Sequence, residues 1–320
     1  MLEIQGGVWK MIVRVQNLVK RYGELLALDH LTFTIDEKEI FGLLGPNGSG
    51  KTTAINCLLA LLAYDKGEIE IFGRPMTPEA YELKRQIGIV PQNVAVYNEL
   101  TVYENIDYFC GLYVHDKKLR KELVHEAIEF VGLKDFRHYY PQKLSGGLLR
   151  RLNIACGIAH KPKLIILDEP TVAVDPQSRN KILEGILQLN TQGATVIYTS
   201  HYMEEVEQIC SRIMIIDKGR AIATGTKEEL KAMITLGEKI TVESQYVTES
   251  QLNKLRALPN VISADYKNKQ LIIKSGKGSN NLELVLDFIK KEKIQFGKIY
   301  SELPTLNDVF LEITGKHLRD

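Results

Sequence analysis

The fold is decided by the stretch Gly45-Pro46-Asn47-Gly48-Ser49-Gly50-Lys51-Thr52-Thr53. It fits the phosphate-loop pattern G-x-x-x-x-G-K-S/T at every fixed position. The stretch directly follows the apolar run at residues 40–44 and directly precedes a helix-like segment at residues 53–59. Strand, loop and helix in that order are the context that the motif requires. We therefore expect a nucleoside triphosphate to bind here.

The residue types of the loop suit a polyphosphate. Glycines let the backbone curl with its N–H groups pointing inward, and the following helix begins with unpaired N–H groups and the positive end of its dipole. Lys51 would reach the β and γ phosphates, and the Thr52 hydroxyl would occupy one position on Mg²⁺. The alternative, a glycine-rich turn with a solvated lysine, is disfavoured by the flanking strand and helix.

Composition excludes several broad classes of protein. The 320 residues suggest two domains, and 44% hydrophobic with 25% charged residues is typical of a soluble globular protein. A net charge of +1 provides no overall attraction to nucleic acid or to an anionic membrane. Apolar runs such as residues 57–63 are shorter than the roughly 18 residues that span a bilayer, and no signal peptide is evident. We expect a cytosolic chain.

The cysteines are widely separated and form no C-x-x-C pair. Each lies in an apolar, helix-like setting, so we expect small buried hydrophobic residues rather than zinc ligands or disulfides. They are Cys57, Cys110, Cys156 and Cys210.

The order of strand-like and helix-like segments divides the chain into regions. Residues 1–10 show no periodicity and are expected to be a leader. Strands and helices alternate through residues 11–236, which predicts a mainly parallel sheet with helices on both faces, interrupted by a helical segment at about 100–160. Residues 237–320 then follow the order β-α-β-β-α-β, including a strand at 294–299, as in ferredoxin-like units. We expect an α/β domain followed by a small α+β accessory domain.

Two acidic residues, one tyrosine and one histidine are further candidates for the site. Asp168 ends a buried strand and is placed to hold Mg²⁺, and Glu169 could polarise an attacking water. A solvated turn is the alternative for adjacent acids, but the upstream phosphate loop favours function. Tyr22 could stack on a purine, although such a tyrosine is more often a partly exposed strand end. His201 taken alone would be a surface histidine.

Four further motifs occur in a specific order with the phosphate loop: Leu144-Ser145-Gly146-Gly147 opening a helix, residues 164–171 around Asp168-Glu169, Val174-Asp175-Pro176, and Thr199-Ser200-His201. Over residues 11–235 the chain resembles the nucleotide-binding subunit of an ABC transporter. This resemblance implies a P-loop NTPase fold that binds and hydrolyses ATP with Mg²⁺.

The resemblance also implies roles on the ATP-binding side of the site. Tyr22 resembles the aromatic residue that stacks on adenine, which reverses the preference above. Gln92 resembles the Q-loop glutamine that contacts Mg²⁺ and senses the membrane subunit. Glu169 resembles the catalytic base, and His201 resembles the switch histidine on the γ-phosphate.

A second half-site is implied by the same resemblance. Leu144, Ser145, Gly146 and Gly147 resemble the signature, which caps the ATP held by another subunit, and Asp175 resembles the D-loop residue at that interface. The chain would therefore pair with a second nucleotide-binding subunit, either a copy or a paralogue. It departs from the common pattern at Leu148, where relatives carry glutamine, and in its D-loop at residues 172–175.

Residues 170–179, 200–207 and 304–315 together resemble bacterial type 2 exporters, including daunorubicin-resistance and sodium-efflux ATPases. This implies integral membrane permease subunits, a location on the cytoplasmic face of the membrane, and no nucleic-acid partner. The contact with the permease is expected around residues 92–108, with Glu99 and Glu104 as candidates.

Two other functions are weighed against this one. A soluble ABC-type ATPase acting on ribosomes or DNA usually has tandem cassettes or a long coiled coil, whereas this sequence has one cassette and no basic stripe. A nucleotide-binding regulator without turnover is disfavoured because Glu169 and His201 are both present.

Overall fold

The computed structural model describes residues 10–278 and 280–315. Residues 1–9 of the predicted leader lie outside the described part. The chain divides into two units between Thr226 and Lys227. The boundary predicted at residue 237 lies further along the chain, because the helix Lys227–Ala232 already belongs to the second unit.

The elements of the N-terminal unit alternate as expected for an α/β domain. Its strands are β1 (Met11–Tyr22), β2 (Leu25–Asp36), β3 (Ile40–Leu44), β4 (Lys66–Ile71), β5 (Arg74–Pro75), β6 (Ile87–Val90), β7 (Leu164–Asp168), β8 (Thr195–Ser200), β9 (Arg212–Asp217) and β10 (Arg220–Gly225). Its helices are α1 (Lys51–Leu58), α2 (Tyr81–Lys84), α3 (Val102–Gly111), α4 (Lys117–Phe130), α5 (Gly146–Ile158), α6 (Pro176–Thr191) and α7 (Met203–Ile209).

The central sheet has the strand order β10-β9-β3-β8-β7-β6. All its neighbouring strands are parallel except β10, which pairs antiparallel with β9 at the edge. Every residue of β3, β7 and β8 is buried, as expected for parallel strands covered on both faces. Because β8 lies between β3 and β7, the segments that follow these strands meet at one edge of the sheet.

The first strands form a second, antiparallel sheet of order β2-β1-β4-β5 and do not join the parallel one. The connection between β1 and β2 is too short for the crossover that parallel pairing requires, so the two strands form a hairpin. Apolar residues of this sheet pack with α1 and β3 in one core, and the rings of Phe33 and Phe41 stack at 5.6 Å between centroids.

The helical segment predicted at about 100–160 contains α3, α4 and α5. Their starts follow from local capping. The Thr101 and Glu104 side chains form a reciprocal capping box at α3, Asp116 caps α4, and Ser145 caps α5. Short 3₁₀ turns at Lys134–Phe136 and Pro141–Lys143 connect α4 to α5.

The C-terminal unit is a four-stranded antiparallel sheet with helices. Its elements are α8 (Lys227–Ala232), β11 (Leu236–Glu243), α9 (Glu249–Arg256), β12 (Val261–Lys267), β13 (Gln270–Gly276), α10 (Asn281–Lys291), β14 (Ile299–Glu302) and α11 (Leu306–Thr314). The sheet order is β12-β13-β11-β14, and α8 packs against α11. Buried residues of β11, β13, α9 and α10 make a core of its own.

The strand predicted at 294–299 is wrong, because β14 begins only at Ile299. The backbone N–H of Ile294 donates to the carbonyl of Ile289 and so completes the end of α10. The Ile294 side chain is buried in the core, which explains why its apolar character suggested a strand.

The cysteine prediction is confirmed, since all four are free and buried. Burial raises the pKa of the Cys57 and Cys110 thiols to about 11, so they are protonated and inert. Within the described ranges, no helix is both long enough and apolar enough to cross a bilayer.

Candidate active site

The phosphate loop connects the end of β3 to the start of α1. Gly50 stands at the helix N-cap with φ +109 and no side-chain cap, so the first-turn N–H groups point into the loop. A Cβ on Gly50 would lie 2.8 Å from the Ala27 carbonyl oxygen, which explains the need for glycine. The loop therefore has the geometry of an anion site.

Lys51 reaches back across this loop. Its Nζ donates to the carbonyl oxygens of Gly45 at 2.8 Å and Pro46 at 3.2 Å, and lies 3.2 Å from Oε1 of Glu169. The side chain is 5% exposed. A buried cation is thus held where phosphate oxygens would enter.

Thr52 and Asp168 meet beside the lysine. The Thr52 hydroxyl donates to Oδ2 of Asp168 at 3.0 Å, and the Thr199 hydroxyl donates to Oδ1 at 2.6 Å. Adjacent hydroxyl and carboxylate oxygens are the donors that Mg²⁺ prefers. Within the described residues, no group of three or more His, Cys, Asp and Glu could hold a metal by itself. A magnesium ion here would need oxygens from the nucleotide and from water as well.

Glu169 has an unusual backbone conformation. Its φ of +47 is rare for a residue other than glycine, and such strain is often found at functional positions. Its N–H donates to the Thr199 hydroxyl at 2.9 Å, which helps to hold this conformation.

The Glu169 carboxylate joins three predicted site residues. Oε1 faces Lys51, Nδ1 of His201 lies 3.2 Å from Oε2, and the Gln92 amide donates to Oε2 at 3.4 Å. His201 directly follows β8 and Gln92 follows β6, so the sheet order brings these side chains together. A buried carboxylate with a histidine and a lysine beside it can act as a general base.

Tyr22 ends β1 and is 48% exposed. The ammonium of Lys20 lies 5.3 Å from the centre of its ring. In the described part of the chain, no hydrogen bond or ring contact joins Tyr22 to residues 45–53. The ring is therefore accessible, and its stacking on adenine stays a prediction.

The signature and the D-loop adjoin each other. Leu144 is the C-cap of the 3₁₀ turn before α5, the Ser145 hydroxyl accepts from the N–H of Leu148, and Asp175 caps α6 by accepting from the N–H of Ser178 at 2.9 Å. This hydrogen bond lowers the pKa of the Asp175 carboxyl. A Cβ on Gly147 would lie 2.4 Å from the Ser178 hydroxyl oxygen.

The structure does not bring these two regions to the phosphate loop. Among residues 10–278 and 280–315, no hydrogen bond or ion pair joins residues 144–147 or Asp175 to residues 45–53. One copy of the chain thus presents two separate groups of predicted site residues.

Three contributors to the site were missed in the sequence. Thr199 touches both acids, as described above. Arg150, buried on α5, donates to the carbonyl oxygen of Gln92 at 2.7 Å and so ties the signature helix to the Q-loop. Glu205, buried on α7, accepts from hydroxyls beside His201. Thr199 lies near the end of the buried, mostly apolar strand β8, whereas Arg150 and Glu205 have charged neighbours in sequence and carry no comparable signal.

Comparison with known families agrees with this geometry. The family model described as "ABC transporter" matches residues 28–172, and the one described as "ATP-binding protein DrrA1-3-like, C-terminal domain" matches residues 225–314. The linearmycin resistance ATP-binding protein of Bacillus subtilis is 39% identical over 97% of this chain and 100% of its own length. The daunorubicin resistance ATP-binding protein of Streptomyces coeruleorubidus is 33% identical over 96% of this chain and 97% of its own.

Solved structures show the same fold. An ATP-binding subunit of an ABC transporter aligns with a TM-score of 0.64 at 26% identity, covering 69% of this chain and 92% of that one. A dimeric ATP-binding cassette bound to ADP and Pi aligns with a TM-score of 0.62 at 28% identity, covering 67% of this chain and 98% of that one. With the near full-length relatives, these matches show that the chain belongs to the ATP-binding, ATP-hydrolysing subunits of the ABC transporter family.

Proposed function

We propose that this chain powers an exporter by hydrolysing ATP at the site around Glu169. The observation that carries the assignment is the Glu169 carboxylate, which contacts Lys51, Gln92 and His201 at the ends of parallel strands. The names of relatives support export, since they describe linearmycin resistance, daunorubicin resistance and Nod factor export. None of these names supports the ribosome- or DNA-acting alternative.

The residues divide the chemistry between them. Residues 45–53 bind the phosphates, with Lys51 and the first-turn N–H groups of α1 facing the charge that develops on the γ-phosphate. Glu169 orients the attacking water and accepts its proton, and His201 contacts the γ-phosphate while its other ring atoms hold Glu169. Tyr22 stacks on the adenine.

Magnesium fits the oxygens near Asp168. The residues that would hold it are Thr52, Asp168 and Gln92, and the bound ion would neutralise charge on the β and γ phosphates. Thr199 orients Asp168 for this task by donating to its other carboxylate oxygen.

A head-to-tail dimer would complete each site. Ser145, Gly146 and Gly147 of one subunit would cap the ATP held by residues 45–53 of the other, and Asp175 would lie at the interface. This arrangement is supported by the separation of the two groups within one copy. It also explains why Ser145 and Gly146 begin a helix, because the start of α5 offers N–H groups to an anion.

The proposed partner is an integral membrane permease, which this chain would contact from the cytoplasmic face of the membrane. Exposed aromatic rings cluster near the Q-loop, where Tyr97 lies 5.0 Å from Tyr108 in an edge-to-face arrangement. Glu104 accepts from both the N–H and hydroxyl of Thr101 at 2.8 Å, so its carboxylate serves the α3 cap. Glu99 is therefore the better candidate contact of the two acids.

The decisive experiment replaces the proposed base. Glu169→Gln should stop ATP turnover and accumulate an ATP-bound dimer, measured by phosphate release and by size-exclusion chromatography with ATP and Mg²⁺. Glu204→Gln, an exposed acid on α7, is the matched control and should behave like the parent. If Glu169→Gln hydrolyses ATP at the parent rate, the assigned chemistry is wrong.

The site of action is tested separately. The parent protein should co-purify with an integral membrane protein from native membranes. Deletion of the gene for that membrane protein should abolish ATP-driven transport. Recovery with ribosomes or DNA, and without an integral membrane protein, would contradict the exporter assignment.

A further inference from the structure

A buried carboxylate on α7 joins several segments around the active site. Glu205 is 3% exposed, and its Oε2 accepts hydrogen bonds from three hydroxyl groups. The donors are Tyr198 at 2.7 Å, Thr171 at 2.8 Å and Ser200 at 3.1 Å. We call Glu205 and these donors the Glu205 cluster.

The donors come from segments that carry the proposed chemistry. Tyr198 and Ser200 lie on β8, directly before His201. Thr171 lies in the turn that follows Glu169. Burial and the neighbouring Glu205 charge raise the pKa of the Tyr198 phenol well above its ordinary value, so the hydroxyl stays protonated and donates.

The second carboxylate oxygen of Glu205 faces a cation. Oε1 lies 3.3 Å from Nε of Arg179, a residue of α6 within the first turn after Asp175. The Arg179 guanidinium in turn lies 5.1 Å from the ring centre of Tyr202, close enough for a cation–π contact.

Tyr202 connects Arg179 to His201. Its ring lies 4.1 Å from that of His201, and its N–H donates to the Ser200 hydroxyl at 2.9 Å. Tyr202 therefore contacts Arg179 through its ring and the Glu205 cluster through its backbone N–H. The His201 ring in turn contacts Glu169 through Nδ1.

We propose that Glu205 and Arg179 are positioning residues that hold the His201 ring against Glu169 through Tyr202. This inference rests on the proposed role of His201. An ion pair with one buried partner adds little net stability compared with apolar packing, but the attraction restricts where the two side chains can lie. Here that restriction involves the start of α6, the start of α7 and the end of β8, which directly precedes His201.

The test compares turnover with nucleotide affinity. Glu205→Gln keeps the side-chain volume but loses the charge and one acceptor, and Arg179→Gln removes the cation. Each should lower kcat by about 10- to 100-fold, since small misplacements of catalytic groups have effects of that size. The Kd of a fluorescent ATP analogue should stay within about twofold of the parent value, because no described contact joins the cluster to residues 45–53.

A double variant separates positioning from general damage. If the pair acts as one unit, Arg179→Gln combined with Glu205→Gln should be no slower than Glu205→Gln alone. Glu204→Gln, next in sequence and exposed, should keep the parent kcat and Kd. Rescue is expected for Arg179→Lys, which retains a cation beside Glu205.

The outcomes distinguish this inference from the function on which it rests. If Glu205→Gln does not fold, Arg179→Gln tests the positioning role instead, because the Arg179 side chain is partly exposed and its replacement is better tolerated. A parent kcat in Arg179→Gln, or a loss of ATP affinity that parallels the loss of kcat, would overturn the positioning role. If His201→Ala keeps the parent kcat, the proposed role of His201 is overturned as well. If His201→Ala has a low kcat while Arg179→Gln keeps the parent kcat, only the positioning role is overturned.

Discussion

The Nζ atom of Lys51 lies 3.2 Å from Oε1 of Glu169, and both side chains are 5% exposed. The phosphate loop and the end of β7 are thus linked by a buried pair of opposite charges. Removal of either partner leaves the other charge buried with neutral or weaker hydrogen-bond partners only, which is costly in a site of low dielectric constant.

This pair predicts energetic coupling in the nucleotide-free protein. Lys51→Met and Glu169→Gln should each lower the free energy of unfolding, and the double variant should lose less than the sum, with a coupling of about 1–3 kcal/mol. Urea denaturation gives the free energy of unfolding of the parent, the two single variants and the double variant. The exposed pair Lys134–Glu129, at 3.6 Å, is the control and should show less than about 1 kcal/mol. Additive effects for the buried pair would refute the coupling.

The contacts of Thr199 with Asp168 and Glu169 predict that its hydroxyl supports both the rate of hydrolysis and the stability of the fold. Thr199→Val removes the donor to Asp168 and the acceptor for the Glu169 N–H, while keeping the shape of the side chain. We expect kcat to fall by about 10-fold or more and the free energy of unfolding to fall by about 1–3 kcal/mol. Thr199→Ser keeps the hydroxyl and should stay near the parent in both assays. If Thr199→Val keeps the parent kcat, Asp168 and Glu169 do not need the Thr199 hydroxyl for hydrolysis.

The two signature glycines predict different effects on stability. A Cβ at Gly147 would meet the Ser178 hydroxyl at 2.4 Å and its Cβ at 2.8 Å, whereas a Cβ at Gly146 would meet only the Ala173 carbonyl oxygen at 3.8 Å. Gly147→Ala should therefore lower the melting temperature of the isolated subunit, and Gly146→Ala should not. Differential scanning calorimetry without nucleotide makes the comparison. Equal melting temperatures would mean that α6 can move away at no cost.

We expect the buried imidazole of His160 to make the stability of the fold depend on pH. Burial lowers the pKa of its imidazole from 6.5 to about 4, although a hydrogen bond to the Ile87 carbonyl oxygen partly opposes this. The ring also stacks on Tyr113 at 4.0 Å. Because the folded-state pKa is depressed, the unfolded chain binds a proton first as the pH falls below about 6.5, and stability is lost from there down to about 4.

The size of this effect can be measured against a variant that does not titrate. Between pH 7 and pH 5 the parent should lose about 2 kcal/mol more of its free energy of unfolding than His160→Phe, which keeps a ring against Tyr113. Chemical denaturation at both pH values tests the difference. An identical pH dependence in parent and variant would show that the imidazole is protonated without penalty in the folded state.

Local patterns predicted much of the secondary structure. Residues 87–90 and 203–209 are a strand and a helix with the expected bounds, and the phosphate loop lies between β3 and α1 as its motif required. These features depend on periodicity, capping and glycine content within a short window. Pairing partners depend on segments far apart in the chain, so local patterns predicted neither the separate antiparallel sheet nor the late start of β14.

The sequence by itself predicted a nucleoside triphosphate site at residues 45–53 and named Glu169 and His201 as candidates for the same site, because each motif has a specific residue type at a specific spacing. Only the tertiary structure decided which side chains meet. The placement of β8 between β3 and β7 brings His201 to Glu169 across 32 residues of sequence, and Thr52 to Asp168 across 116. The same packing selected Thr199, Arg179 and Glu205 as partners, since a buried charge must be satisfied by whichever polar groups the fold places beside it.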